Sequence, residues 1–245
     1  MEVVRELLKH GAKVESANKN GWTSLNSAAL DGHVEVVREL LKHGAKVESA
    51  NKNGWTTLKS AALKGHVEIV RELLKHGAKV ESANKNGWTP LNSAALNGHV
   101  EVVQELLKHG AKLESADADG WTPLCIAGSN GHVEVVRELL KHGTKLESVN
   151  NMGRTPLYIA ADKGYVEVVR ELLKHVTKLE SADKDGRTPL YTAARYGHVE
   201  VVRELLKHGA KLESVDKDGW TPLYTAARNG QVEVVRELLK HGARV

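Results

Sequence analysis

Phenylalanine is missing altogether from these 245 residues, cysteine occurs once, methionine twice and proline five times. Without Phe, and with aromatic residues at only 4%, a thick core of large rings is excluded. The apolar content, 41% of the chain, is mostly Leu, Val and Ala, which suits thin helices packed closely together. The single Cys125 cannot close an internal disulfide, so the cross-links of small secreted domains are ruled out. No run approaches the ~18 apolar residues that a membrane-spanning helix needs. The opening MEVVRELLKH threads charges through its apolar residues and does not read as a secretory leader. These absences predict a soluble, intracellular protein, cytoplasmic with the nucleus as an open second compartment, and no membrane partner. Charge is nearly balanced, 35 Lys and Arg against 31 Asp and Glu, for a net +4.

What the chain has in abundance is repetition, which is sought before any local reading. A Gly-Trp-Thr or Gly-Arg-Thr triplet begins at Gly21, Gly54, Gly87, Gly120, Gly153, Gly186 and Gly219, always 33 residues apart. The period defines one domain, 1–245, of repeats 18–50, 51–83, 84–116, 117–149, 150–182, 183–215 and 216–245. Residues 1–17 match only the second half of a unit and read as a truncated repeat. The first two full units differ only at Ser24/Thr57, Asn26/Lys59, Asp31/Lys64 and Val36/Ile69, as recent duplication or deliberate design would leave them.

Each unit reads as turn, helix, turn, helix. In the third, Asn86-Gly87 predicts a type I′ hairpin turn with positive φ at both residues. Thr89-Pro90 supplies a capping side chain and a proline suited to the first helical position. A short helix through Leu91–Leu96 stops at Gly98, where a left-handed residue closes it. In the second helix, Val100 to His109, the expected buried stripe is Val100, Val103, Leu106 and Leu107, with Glu101, Glu105, Lys108 and His109 outside. Its acidic start and basic end follow the helix dipole, and Gly110 ends it.

The segment DKDGRTPLYTAARYGHVEVVRELLKHGAKLESV, residues 183–215, matches the ankyrin repeat in length and spacing, and every unit carries a version of it. The whole chain therefore resembles the ankyrin-repeat family. The resemblance implies an all-α solenoid, an ankyrin repeat stack of helix-turn-helix units with short β-hairpin-like fingertips. It also implies that fingertips and first helices line a concave side that binds proteins. The chain departs from the family pattern in places. The His usual after Thr-Pro-Leu is replaced by Asn26, Lys59, Asn92, Cys125, Tyr158, Tyr191 and Tyr224, which leaves the hydrogen bonds of that His unaccounted for. The next position is Ser27, Ser60 and Ser93 in the early repeats, where the hydroxyl is expected to bond back to its own helix and to lower stability. Glu48, Glu81, Glu114, Glu147, Glu180 and Glu213 replace the usual Asn near the unit's end, so hydroxylation there is not expected. Val176-Thr177 replaces the Gly-Ala after the fifth unit's second helix and predicts a distorted helix end.

The candidate binding residues fall into two groups. Trp22, Trp55, Trp88, Trp121 and Trp220 share one slot, the residue after the turn glycine, with Arg154 and Arg187 filling the other two. Trp, Arg and Tyr are the residues most enriched at binding hot spots, so this row reads as a contact strip. The competing reading makes each indole a cover for the next hairpin, with lysine stems filling the gaps. The second group, Tyr158, Tyr191, Tyr224, Arg195, Tyr196 and Arg228, gives the C-terminal half an aromatic, cationic floor, against exposed Leu30, Leu63 and Leu96 in the N-terminal half. Alternatively, the tyrosines stand in for the missing His and anchor through their hydroxyls. In the variable fingertip and helix-end slots, eleven Lys and Arg face five Asp, which favours an acidic protein partner.

Other functions have weaker sequence support. Aromatic and basic residues along a groove resemble a platform for single-stranded nucleic acid, but the charge excess is small and no dense basic run occurs. A structural spacer, or an engineered repeat scaffold with no natural ligand, is the remaining alternative. No catalytic residue, metal site or cofactor is expected: the thirteen His recur at repeat slots one stacking distance apart, too far to share an ion. No phosphate loop, HExxH or GxSxG occurs, and Cys125 reads as a buried, inert thiol. Val3, Val4, Leu7 and Leu8 lack a first-helix partner, and no polar unit follows Val245. Fraying of 1–17 or end-to-end self-association is therefore expected.

Overall fold

In each 33-residue unit the chain turns at a fingertip, forms a short first helix, breaks at a glycine and forms a second helix. A computed structural model describes residues 2–176 and 178–245. The second helices are α1 (Glu2–Lys9), α3 (Val34–Lys42), α5 (Val67–Lys75), α7 (Val100–Lys108), α9 (Val133–Lys141), α11 (Val166–Leu173), α13 (Val199–Lys207) and α15 (Val232–Lys240). The first helices are α2 (Ser24–Leu30), α4 (Thr57–Lys64), α6 (Pro90–Leu96), α8 (Pro123–Ser129), α10 (Pro156–Lys163), α12 (Pro189–Tyr196) and α14 (Pro222–Arg228). Extended pairing among the described residues is confined to the isolated bridges Ala17–Thr23 and Ala50–Thr56. The chain divides into two compact units, 1–118 with α1 to α7 and 119–245 with α8 to α15.

The fingertip forms by a different route from the type I′ turn the sequence suggests. Gly87 alone takes positive φ, at 76°, and no other residue type does so anywhere among the described residues. The Gly87 amide donates to the Asn84 carbonyl (3.0 Å), and the Asn84 side-chain oxygen accepts from the amides of Asn86 and Trp88, both at 2.9 Å. A side-chain acceptor thus replaces the second left-handed residue. Successive fingertips are joined by single backbone bonds, Lys85 N to Asn53 O in the first unit and Lys184 N to Met152 O in the second. A Cβ on Gly54 would lie 3.2 Å from Asn84 Cα and press on the next repeat's backbone, and the φ of 76° adds strain for any other residue.

Thr89 caps α6 by accepting the Asn92 amide, and Asn92 returns a capping-box contact to Thr89. Within each unit first helices pack on first helices and second on second. The alanines make this close approach possible: Ala61, Ala62, Ala94 and Ala95 are fully buried. The buried stripe of α7 is Val102, Val103, Glu105 and Leu106, with Val100 and Leu107 only half-buried. Glu105, expected outside, is covered because it accepts from Arg71 Nε of the preceding repeat at 3.1 Å. The same contact recurs as Arg38–Glu72, Arg137–Glu171, Arg170–Glu204 and Arg203–Glu237.

Ser60 and Ser93 donate back to the carbonyls of Thr56 and Thr89, at 3.2 and 3.1 Å. α11 ends at Leu173, a residue earlier than its counterparts, and Val176 does not enter the left-handed region that glycine supplies elsewhere. The expected distortion is thus present up to Val176, and Thr177 lies outside the described residues.

Candidate functional site

The turn chemistry that shapes each fingertip also fixes the Trp/Arg slot. The backbone amide at that slot donates to the carboxamide or carboxylate oxygen four residues earlier: Trp22 to Asn18 (3.1 Å), Trp55 to Asn51 (3.0 Å), Arg154 to Asn150 (3.1 Å), Arg187 to Asp183 (3.0 Å) and Trp220 to Asp216 (3.0 Å). The first unit carries Trp22, Trp55 and Trp88 on its fingertips, and the second carries Trp121, Arg154, Arg187 and Trp220; all seven are half-buried. They are neither sealed under neighbouring loops nor freely exposed. Trp88 is additionally tied to its own helix, its indole N–H donating to Ser93 Oγ at 3.0 Å.

The tyrosine floor needs correction. Tyr158 and Tyr191 are 1% and 2% exposed, and their hydroxyls donate to Asp183 (2.9 Å) and Asp216 (2.7 Å) of the next repeat. They replace the missing His as internal anchors, so they are not contact residues. Burial, then the neighbouring Asp183 charge, pushes the Tyr158 hydroxyl well above the ordinary tyrosine range, and burial pushes Tyr191 upward. Burial opposes ionisation of Asp216, but the Trp220 amide, the Tyr191 hydroxyl and the Asp218 amide together hold it below its usual value. Tyr224, in the same slot, is 51% exposed. Its ring lies 5.2 Å from that of Trp220, and the Arg228 guanidinium sits 4.2 Å over the indole. These three predicted site residues form one cluster, and two of them, Trp220 and Tyr224, line an open cleft of about 610 Å³ together with Leu223, Ala227 and Arg244. Arg195 lies 5.5 Å over the ring of exposed Tyr196, a separate pair at the end of α12.

The remaining members of the slot that lost His also face inward. Asn26 donates to Ser49 O (3.1 Å) and Thr57 Oγ1 (2.8 Å). Lys59 is 0% exposed; its Nζ donates to Gly54 O at 2.5 Å, and burial lowers its pKa to about 8 despite the Glu48 charge. Cys125 is likewise buried. The half-buried positions of Leu30, Leu63 and Leu96 fall short of the expected exposure.

Several linking residues carry no sequence motif. Glu48 accepts the Lys79 amide and the Ser82 hydroxyl of the next repeat, both at 2.9 Å; Glu15, Glu81 and Glu180 do the same one repeat apart. His66, His99 and His198 approach the last carbonyls of the preceding first helix, at 3.1, 3.0 and 3.0 Å. The second His slot, as in His43 and His76, bonds the carbonyl four residues earlier. Among the described residues no three His, Cys, Asp or Glu converge as metal ligands, and no helix is long and apolar enough to cross a membrane.

Helix pairs repeated every 33 residues, each pair preceded by a fingertip, define a helical-repeat protein. The family model for ankyrin repeats matches residues 1–51, 44–117, 112–183 and 177–245, and the chain belongs to the ankyrin-repeat family. It is similar to the crystal structure of the human ASB11 ankyrin repeat domain, with 30% identity and a TM-score of 0.81, covering 91% of this chain and 100% of that one. A comparison with curated proteins returned no match. Ankyrin repeats generally serve as protein–protein interaction modules, and the family is generally non-enzymatic.

Proposed function

We propose that this chain binds an acidic protein partner through its fingertip and first-helix face. The contact residues would be Trp22, Trp55 and Trp88 in the first unit, and Trp121, Arg154, Arg187, Trp220, Tyr224, Arg228, Arg195 and Tyr196 in the second. The observation that carries the reading is the half-buried state of the Trp/Arg slot on hydrogen-bonded fingertips. Stems held by the scaffold and faces left accessible reduce the ordering cost of contact. In this reading the protein is cytoplasmic and non-catalytic.

Trp121→Ala and Arg154→Ala are expected to weaken partner recovery in a pull-down at least about fivefold while leaving the thermal midpoint within a few degrees. Lost stability with unchanged recovery would instead make the row a structural cover and the chain a spacer. The Trp88 indole bond to Ser93 favours that second role at Trp88.

The same proposal extends to self-association. No residue of α1 is buried, and Val3 and Leu7 are 71% and 56% exposed. Light scattering is expected to show concentration-dependent growth that Val3→Asp with Leu7→Asp abolishes.

A further inference from the structure

Resting on that recognition reading, we infer that the second unit takes an extended acidic strand. Its two carboxylates would lie three residues apart, with an apolar side chain three residues beyond each. The row there reads Trp121, Arg154, Arg187, Trp220, so two guanidinium groups are bracketed by two indoles at one repeated slot. The slots step regularly because successive fingertips are joined by Asn151 N to Asp119 O (2.9 Å), Lys184 N to Met152 O (3.0 Å) and Lys217 N to Asp185 O (2.9 Å). Packed helices stand about 8–10 Å apart, and an extended chain advances about 3.3 Å per residue. One repeat therefore corresponds to about three residues of ligand.

The two arginines are incompletely engaged by the protein. Their side chains are 25% and 26% exposed and each Nε is buried without a hydrogen-bond partner among the described residues, so a ligand would meet the outer guanidinium nitrogens; the Arg154 guanidinium also lies 5.1 Å over the Tyr158 ring. Asp183 cannot fully serve Arg154. It lies 3.6 Å from that Nε, beyond a good hydrogen bond, and already accepts from the Tyr158 hydroxyl and the amides of Asp185 and Arg187. Arg187 holds Asp185 at 3.1 Å, but that carboxylate is 54% exposed and easily exchanged for a ligand's. Exposed Lys184 and Lys217 add positive charge on the same fingertips. A guanidinium fork matches a carboxylate in two parallel hydrogen bonds, which lysine cannot reproduce. Asp185 and Asp218 at the tips repel any continuous run of negative charge, so the row suits a strand with carboxylates only at the two arginine slots better than a phosphate backbone charged at every residue.

The test is fluorescence anisotropy of labelled eleven-residue peptides titrated with the full 245-residue chain at low salt. Each peptide has two glutamates flanked by leucines three positions outside them, on a serine background, with the glutamates two, three or four residues apart. The spacing of three is expected to bind at least about fivefold tighter than the other two, and Arg154→Gln or Arg187→Gln to remove that preference with unchanged helical circular dichroism. Arg154→Lys is expected to recover only part of it. Equal binding at all spacings, indifference to both arginine variants, tighter binding of oligothymidylate, or no peptide binding at all overturns the acidic-strand inference. The parent recognition reading falls on a different result: a variant stripped of the fingertip Trp and Arg that recovers the same partners in the pull-down as the unaltered chain.

Discussion

At Tyr158 a hydroxyl that sequence leaves between two roles proves to be a buried anchor. Tyr158→Phe removes the hydroxyl bond to one oxygen of Asp183 and leaves it only the long Arg154 contact, and the expected cost is about 1–3 kcal/mol by urea denaturation. Tyr224→Phe, at the same slot but half-exposed, is expected to change stability by no more than about 0.5 kcal/mol. The anchoring of Tyr158 was legible in a pairing within the sequence. Tyr158 and Tyr191 are each followed 25 residues later by Asp183 and Asp216, whereas Asn26 and Lys59 are followed there by Asn51 and Asn84. Lys59 consequently buries a cation opposite a position without a carboxylate. Its folded pKa of about 8 lies below the unfolded value of about 10.4. The penalty is complete below pH 8 and fades as pH rises toward the unfolded value. Lys59→Met is therefore expected to raise the urea midpoint at pH 7, with an advantage over the unaltered protein that shrinks between pH 8 and pH 10. A constant advantage would place the penalty in packing instead.

Among the elements, helix positions and caps followed from the sequence because Thr, Pro and Gly mark helix ends by local chemistry alone. The inward face of the second helices did not. A stripe drawn through one helix ignores its neighbours, and only the stacked partner supplies Arg71 to cover Glu105. The glutamates at the unit ends show the same blind spot, since Glu48 meets Lys79 and Ser82 across a repeat junction. Glu48→Ala is expected to cost about 1 kcal/mol and to accelerate hydrogen exchange at the Lys79 amide while leaving α7 amides unaffected. Uniform acceleration throughout the first unit would argue against a local junction. The fingertip departs from the type I′ turn that its Asn-Gly pair signals because the Asn84 side chain supplies an alternative acceptor two residues before Asn86.

For the molecule as a whole, the 33-residue period alone defines family and architecture, because every repeat offers the same apolar faces to the next. Which side chains stay accessible was only partly legible: the period gives the slot, but whether an occupant turns inward depends on its size and on the acceptor it finds. Repeat proteins open in pieces, each governed by its own junctions. The first unit contains the buried Lys59 and the back-bonding Ser60 and Ser93, whereas the second has the two Tyr–Asp anchors. Hydrogen exchange with mass spectrometry is expected to show residues 2–118 opening at lower free energy than 119–245, and the reverse order would contradict this account of the early repeats. The Asx turns carry a consequence for how such a chain changes its specificity. Because amides and turn side chains fix the slot after each fingertip glycine, its occupant is close to a free choice, as Trp and Arg already demonstrate. If the proposed contact row is right, substitution there rewrites one letter of a binding code and leaves the page it is printed on intact.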